Sequence, residues 1–172
     1  KTYEATLLLG TETDTQDMDG TVIAEKDWSA VTPEQATKAI MGFTGDIMQM
    51  PPMVSAVKVD GKRLYEIARK GKEVARELRP IHIERINITR MELPQADFTV
   101  KCSKGTYIRT LCADIGAKLG CGGVLYGLRR TQSGMFDLAD AVTVETLKTW
   151  EQPELAAHIN VLLSKQIAAF GG

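Results

Sequence analysis

The feature that most constrains the fold is a change of hydrophobic period near the middle of the chain. Phe98, Val100 and Cys102 alternate with polar neighbours, whereas Ile108, Leu111, Cys112, Ile115 and Leu119 recur at helical spacing. A period of two lines one face of a strand, and a period of 3.6 lines one face of a helix. The strand therefore passes through Ser103-Lys104-Gly105-Thr106 into a helix with Gly120 just beyond its end, where a left-handed stop is favoured. That transition puts the ring of Tyr107 and the guanidinium of Arg109 near the end of a sheet, where such folds often build sites.

Other segments carry their own signals. Tyr3, Ala5, Leu7 and Leu9 alternate as in a half-buried strand, and Asp19-Gly20 turns the chain into a short strand from Thr21 to Glu25. Thr32-Pro33-Glu34-Gln35 supplies an N-cap, a proline at the first helical position and a capping-box partner for a helix ending near Gly42. Gln49 to Ser55 holds Pro51-Pro52, which no helix interior tolerates. A strand is expected from Ser55 to Val59, and Asp60-Gly61 is expected to turn the chain into a helix from Lys62 to Lys70. Ile81, Ile83, Ile86 and Ile88 mark a strand whose phase slips near Glu84-Arg85, as a bulge would make it. Val124 to Leu128 and Gly134 to Leu138 read as two short strands, and Thr143 as the cap of a helix through Leu147. Strands and helices do not alternate regularly. The expected class is α+β, with a mixed, largely antiparallel sheet and flanking helices, rather than a doubly wound nucleotide-binding fold.

The composition excludes several kinds of chemistry. Cys102, Cys112 and Cys121 form no C-x-x-C pair, and His82 and His158 sit in no triad or ligand pattern, so no metal site is expected. Asp14, Asp17 and Asp19 lack the spacing of a calcium loop. The odd number of cysteines and the lack of a long apolar run fit a reducing, cytoplasmic setting with no membrane span. Net charge is −1, but residues 1–50 carry 3 Lys/Arg against 9 Asp/Glu and residues 51–90 carry 10 against 5. A polyanion would be met by that one basic stretch.

Five segments, in order, resemble the TruB family of tRNA pseudouridine synthases, whose archaeal and eukaryotic relatives include dyskerin. They are K-x-Y at Lys1 to Tyr3, L-G-x-x-T-D-T-x-D-x-x-G from Leu9, P-P-x-x-S-A-V-K-x-x-G-x-R-L-Y-E-x-A-R-x-G from Pro51, C-S-K-G-T-Y-I-R-T-L from Cys102 and L-R-R-T-x-x-G-x-F from Leu128. The resemblance runs to about Leu147. It implies an incomplete pseudouridine synthase catalytic domain over 1–148, with a projection that grips RNA at about 49–71. The tail, 149–172, is too short to hold the PUA domain that many relatives carry.

The implied reaction converts uridine 55 in the T-loop of tRNA to pseudouridine, after the base has been flipped out of its stack and without metal or organic cofactor. Tyr3 would stack on the uracil and assist loss of the C5 proton. Arg109 would pair with the nucleophilic aspartate, and Tyr107 and Leu128 would line the base pocket. Lys58, Lys62, Arg63 and Arg69 would hold the RNA. The family's nucleophile lies in a G-[TA]-L-D-P-x-A-x-G motif, and no such motif occurs in these 172 residues. The expectation is thus a fragment, monomeric and inactive alone, whose aspartate lies upstream; a non-catalytic RNA-binding module and one half of a two-chain enzyme are the rival readings.

Overall fold

The computed structural model describes residues 1–53, 58–59, 62–63 and 75–170. They divide into a compact unit from Thr2 to Arg129 and a second unit made of Lys1 and the chain from Arg130 onward.

The first unit is a sheet covered on one face by two helices. Its strands are β1 (Thr2–Leu9), β4 (Gly45–Gln49), β7 (Arg79–Glu92), β8 (Gln95–Cys102) and β9, which begins at Gly123, and their order across the sheet is β9-β1-β8-β7-β4. The pairs β1·β8, β7·β8 and β4·β7 are antiparallel. This is the α+β class and the largely antiparallel sheet expected from the sequence. Ala96, Phe98, Val100 and Cys102 on β8 and Ala5, Leu7 and Leu9 on β1 face the core in strict alternation. The register of β7 against β8 shifts between Ile83 and Arg85, so that Ile83 and Ile86 both reach the buried face. That is the bulge that the isoleucine spacing requires.

Helix α1 (Pro33–Met41) begins with the full capping box: Gln35 N–H donates to the Thr32 hydroxyl, and Thr32 N–H donates to the Gln35 carboxamide. It buries Ala36, Ala39 and Ile40. Helix α2 (Ile108–Leu119) buries Ile108, Leu111, Cys112 and Ile115 on the expected face and ends at Gly120, whose φ of 78° is left-handed. Each of these larger side chains contributes about 1.5–3 kcal/mol by leaving water. Burial also pushes the Cys112 thiol well up, as suits a packing residue rather than a nucleophile.

Two features of this part of the chain depart from the sequence expectations. Strand β4 was not expected, because only Ile47 in it signals a core-facing position and its outward residues, Asp46 and Met48, are those of a sheet edge. Lys62–Arg63 (β6) does not open a helix; it pairs with Lys58–Val59 (β5), Lys58 opposite Arg63. Asp-Gly is a favoured pair for a two-residue hairpin connection, which suits the pairing of Val59 with Lys62. The rest of the expected helix, 64–70, with Arg69, lies outside the described residues, as do the side chains of Lys58, Lys62 and Arg63. A small two-stranded ladder, β2 (Thr11–Thr13) with β3 (Val22–Glu25), carries the acidic turn expected there.

In the second unit β9 runs on to Ser133 and pairs with β10 (Phe136–Asp137). Thr143 caps α3 (Val144–Lys148) through its hydroxyl, as expected. The tail forms α4 (Gln152–Phe170), which the sequence did not announce: its apolar residues fall on no single face. Among the described residues no helix is long and apolar enough to cross a membrane.

Candidate functional site

The junction between β8 and α2 is held from three sides. Ser103 N–H donates to the His82 carbonyl at 2.8 Å, and His82 N–H donates to the Ser103 hydroxyl at 3.0 Å, which fastens the turn to β7. Tyr107 is the N-cap residue of α2, extended at φ −102° and ψ 110°, and its own side chain makes no capping bond. Its backbone is served by Gln49 at the end of β4. The Gln49 Oε1 accepts from Tyr107 N–H at 2.8 Å, and Gln49 Nε2 donates to the Tyr107 carbonyl at 3.1 Å. Gln49 is only 2% exposed, and these two bonds satisfy a buried amide.

The third hold comes from the acidic turn. Arg109, the second residue of α2, donates from Nη1 to Asp17 Oδ2 at 2.9 Å, with about four fifths of each side chain out of solvent (21% and 23% exposed). Beside it the Thr110 hydroxyl donates to Gln16 Oε1 at 2.8 Å. Gln16 is a non-glycine residue at φ 67°, a conformation that costs on the order of 1 kcal/mol. Its carbonyl accepts from Leu125 N–H of β9 at 3.1 Å, so the strained residue is held at both ends.

The turn is organised from within by the residues of its T-D-T-x-D run. Thr13 hydroxyl donates to the Asp17 carbonyl at 2.7 Å, Thr15 hydroxyl to Asp17 Oδ1 at 2.6 Å, and Asp14 Oδ1 accepts from Thr21 N–H at 2.8 Å. Asp17 thus reaches Arg109 with one carboxylate oxygen and is oriented through the other.

Of the residues selected in the sequence, Tyr107 and Arg109 therefore share one built site. Tyr3, near the start of β1 and paired with Val100, is half-buried against the core. Leu128 is half-exposed on β9, in the wall of a hollow of about 560 Å³ that also meets Glu4, Thr6, Asp97, Thr99 and Arg129. Asp17, Gln16, Thr110 and Gln49 were not selected. The fixed spacing of T-D-T-x-D was the available signal for Asp17, whereas a glutamine two residues before Pro-Pro gives none. Among the described residues no group of three His, Cys, Asp or Glu is placed to hold a metal ion. Asp114, on the same helix, is half-buried, and that burial raises the pKa of its carboxyl.

The chain is similar in sequence and fold to known proteins. Residues 1–108 match the TruB family pseudouridylate synthase N-terminal domain, and residues 109–165 match the tRNA pseudouridylate synthase B C-terminal domain. The chain is 48% identical over 159 residues to tRNA pseudouridine synthase B of Opitutus terrae, covering 92% of this chain and 66% of that protein. It is 45% identical over 165 residues to the enzyme of the same name from Clostridium tetani, covering 96% and 57%. A chain from a crystal structure of a Cbf5-Nop10-Gar1 complex superposes with a TM-score of 0.60 at 28% identity, over 84% of this chain and 34% of that one. The chain spans roughly half to two thirds of the length of these curated relatives.

Proposed function

Because this chain belongs to the TruB family of pseudouridylate synthases, we propose that it acts in converting the T-loop uridine of tRNA, position 55, to pseudouridine. In that reaction the C1′–N1 glycosidic bond breaks, the uracil turns while held, and a C1′–C5 bond forms as a proton leaves C5 and another is taken up at N1. No cofactor is required by this chemistry. What it needs is a carboxylate nucleophile, a counter-ion that keeps it ionised, an aromatic surface for the base and a proton acceptor.

The observation that carries the reading is the ion pair between Arg109 and Asp17 at the start of α2. A guanidinium fixed in advance loses little freedom when it meets a second carboxylate, and its planar fork suits that role. Arg109 would orient the nucleophile, Tyr3 would stack on the flipped uracil and assist the C5 proton, and Tyr107 and Leu128 would bound the pocket. Lys58, Lys62, Arg63 and Arg69, in the basic stretch, would lie along the RNA backbone. The nucleophile would come from the G-x-L-D-P-x-A-x-G motif outside residues 1–172. Asp17 would not be that group, because it stands in the T-D-T-x-D run and not in a G-x-L-D-P-x-A-x-G motif.

The test uses a protein in which that motif precedes Lys1 in frame. Arg109→Met and Tyr3→Leu are expected to abolish pseudouridine formation in a T-loop stem-loop RNA while retaining RNA binding. Full turnover by either variant would remove that residue from the chemistry. Residues 1–172 alone are expected to bind the RNA without converting it; robust conversion would show that no outside aspartate is needed. A coding sequence with no such motif upstream would favour the binding module instead.

A further inference from the structure

We propose that Gln49 is a positioning residue for the base pocket, tying the root of the RNA-gripping segment to Tyr107 and so to Arg109; this rests on the function proposed above. The root of that segment is narrow. Gln49 ends β4 and faces Arg79, the first residue of β7, across the ladder, so the chain leaves and re-enters the sheet at one point. Pro51 and Pro52, which follow, are buried, and Arg76 Nη1 on the returning side donates to the Pro51 carbonyl at 3.0 Å. Force applied to the segment by bound RNA reaches the sheet through this neck.

At the neck the Gln49 side chain is bonded away from its own strand. Its carboxamide meets both backbone groups of Tyr107, 58 residues on in sequence, at 2.8 and 3.1 Å. Only one orientation of the amide makes both bonds; the reverse sets N–H against N–H and oxygen against oxygen. The pairing therefore fixes where Tyr107 sits and in which direction α2 starts, and Arg109 is two residues further along the same backbone. A displacement of the neck moves Tyr107 with it, because the link is short, dry and made of two parallel bonds. An ordinary capping side chain accepts from N–H groups two or three residues into the helix; Gln49 instead serves the N–H and carbonyl of Tyr107 itself.

The experiment compares Gln49→Leu and Gln49→Glu in the protein that includes the nucleophile motif. Leucine fills the volume and makes neither bond. Glutamate keeps the shape: ionised it can only accept, and it meets the Tyr107 carbonyl with like charge, but protonated its O–H donates where the amide did. Burial raises its pKa, which brings that protonation toward the assay range. At neutral pH both variants are expected to lose about ten- to hundredfold in kcat, as for a buried pair broken on one side, with KM for the stem-loop RNA within about threefold of wild type.

The Gln49→Glu to wild-type ratio of kcat is then expected to climb as pH falls. A ratio flat with pH, a defect confined to KM, or unchanged kcat with only a lower melting temperature would each overturn the proposal. If Gln49→Leu fails to fold, the pH dependence of the Gln49→Glu ratio decides alone. A wild-type protein that forms no pseudouridine would sink the functional reading itself, and the positioning role with it.

Discussion

Gly116 lies inside α2, where an alanine would ordinarily be an improvement of about 1 kcal/mol. Here the opposite is expected. A Cβ at Gly116 would fall 2.1 Å from the Gly123 nitrogen, 2.2 Å from the Gly122 carbonyl carbon and 2.5 Å from the Gly122 oxygen. All three are backbone atoms, so no rotamer change relieves the contact, and the turn into β9 must retreat by roughly 1.5 Å to reach ordinary van der Waals separation. That turn is bonded on both sides: Gly122 N–H donates to the Gly116 carbonyl at 3.1 Å, and the Gly122 carbonyl accepts from Gly10 N–H at 3.2 Å. Overpacking of this kind costs about 1–3 kcal/mol and a weakened hydrogen bond about 1 kcal/mol more. After the helical gain is set against these, Gly116→Ala should destabilise by about 2 kcal/mol, which lowers the melting temperature by roughly 4–8 °C. Thermal unfolding followed by circular dichroism measures this directly. Gly120→Ala is the control: it sits at φ +78° with nothing within 4 Å of an added Cβ, so it should cost only about 1 kcal/mol of backbone strain. A Gly116→Ala variant that melts at or above the wild-type temperature would refute the steric account.

Asp17→Asn removes one partner of a mostly buried ion pair and should destabilise by about 1–3 kcal/mol, between the surface and interior limits; equilibrium denaturation would detect it, and no change would make the pair incidental. Asp114 titrates above its ordinary value of 3.8 because burial opposes its charge. The folded state then holds its proton to higher pH than the unfolded chain, so stability falls as pH rises through that window. Asp114→Asn should therefore be more stable than wild type at neutral pH, with the gap narrowing on acidification; a gap constant from pH 3 to 7 would contradict this. Charge reversal at Lys62 and Arg63 should weaken RNA binding and flatten its dependence on salt by about one unit of log–log slope per lost phosphate contact. An unaltered slope would place the grip elsewhere.

How much of this was legible in the sequence depends on the range of the forces involved. Where local preference and burial agree, the pattern is explicit: the capping box at Thr32, the alternation of β8, the helical face of α2 and the bulge in β7 all follow from neighbours within a few residues. β4 and the pairing of Lys62–Arg63 were hidden because short edge elements have few apolar contacts to announce them. The site divides in the same way. Tyr107 and Arg109 were visible as a strand-to-helix transition, but the groups that hold them, Gln49 and Asp17, come from 58 and 92 positions away. No local periodicity encodes a carboxamide that happens to meet a distant backbone.

The facing of Gln49 and Arg79 has an evolutionary side as well. Closing a loop costs entropy that grows only with the logarithm of its length, about 0.6 kcal/mol for each doubling. A segment that starts and finishes at adjacent points of a sheet can be lengthened, trimmed or exchanged while the strands beneath keep their register. A change of length between Pro52 and Ala75 therefore costs the sheet little, so long as the Gln49–Arg79 pairing and the Arg76–Pro51 bond persist. If this segment holds the RNA as proposed, exchanging it for that of a relative is expected to change RNA choice while the bonds between Gln49 and Tyr107 stay in place.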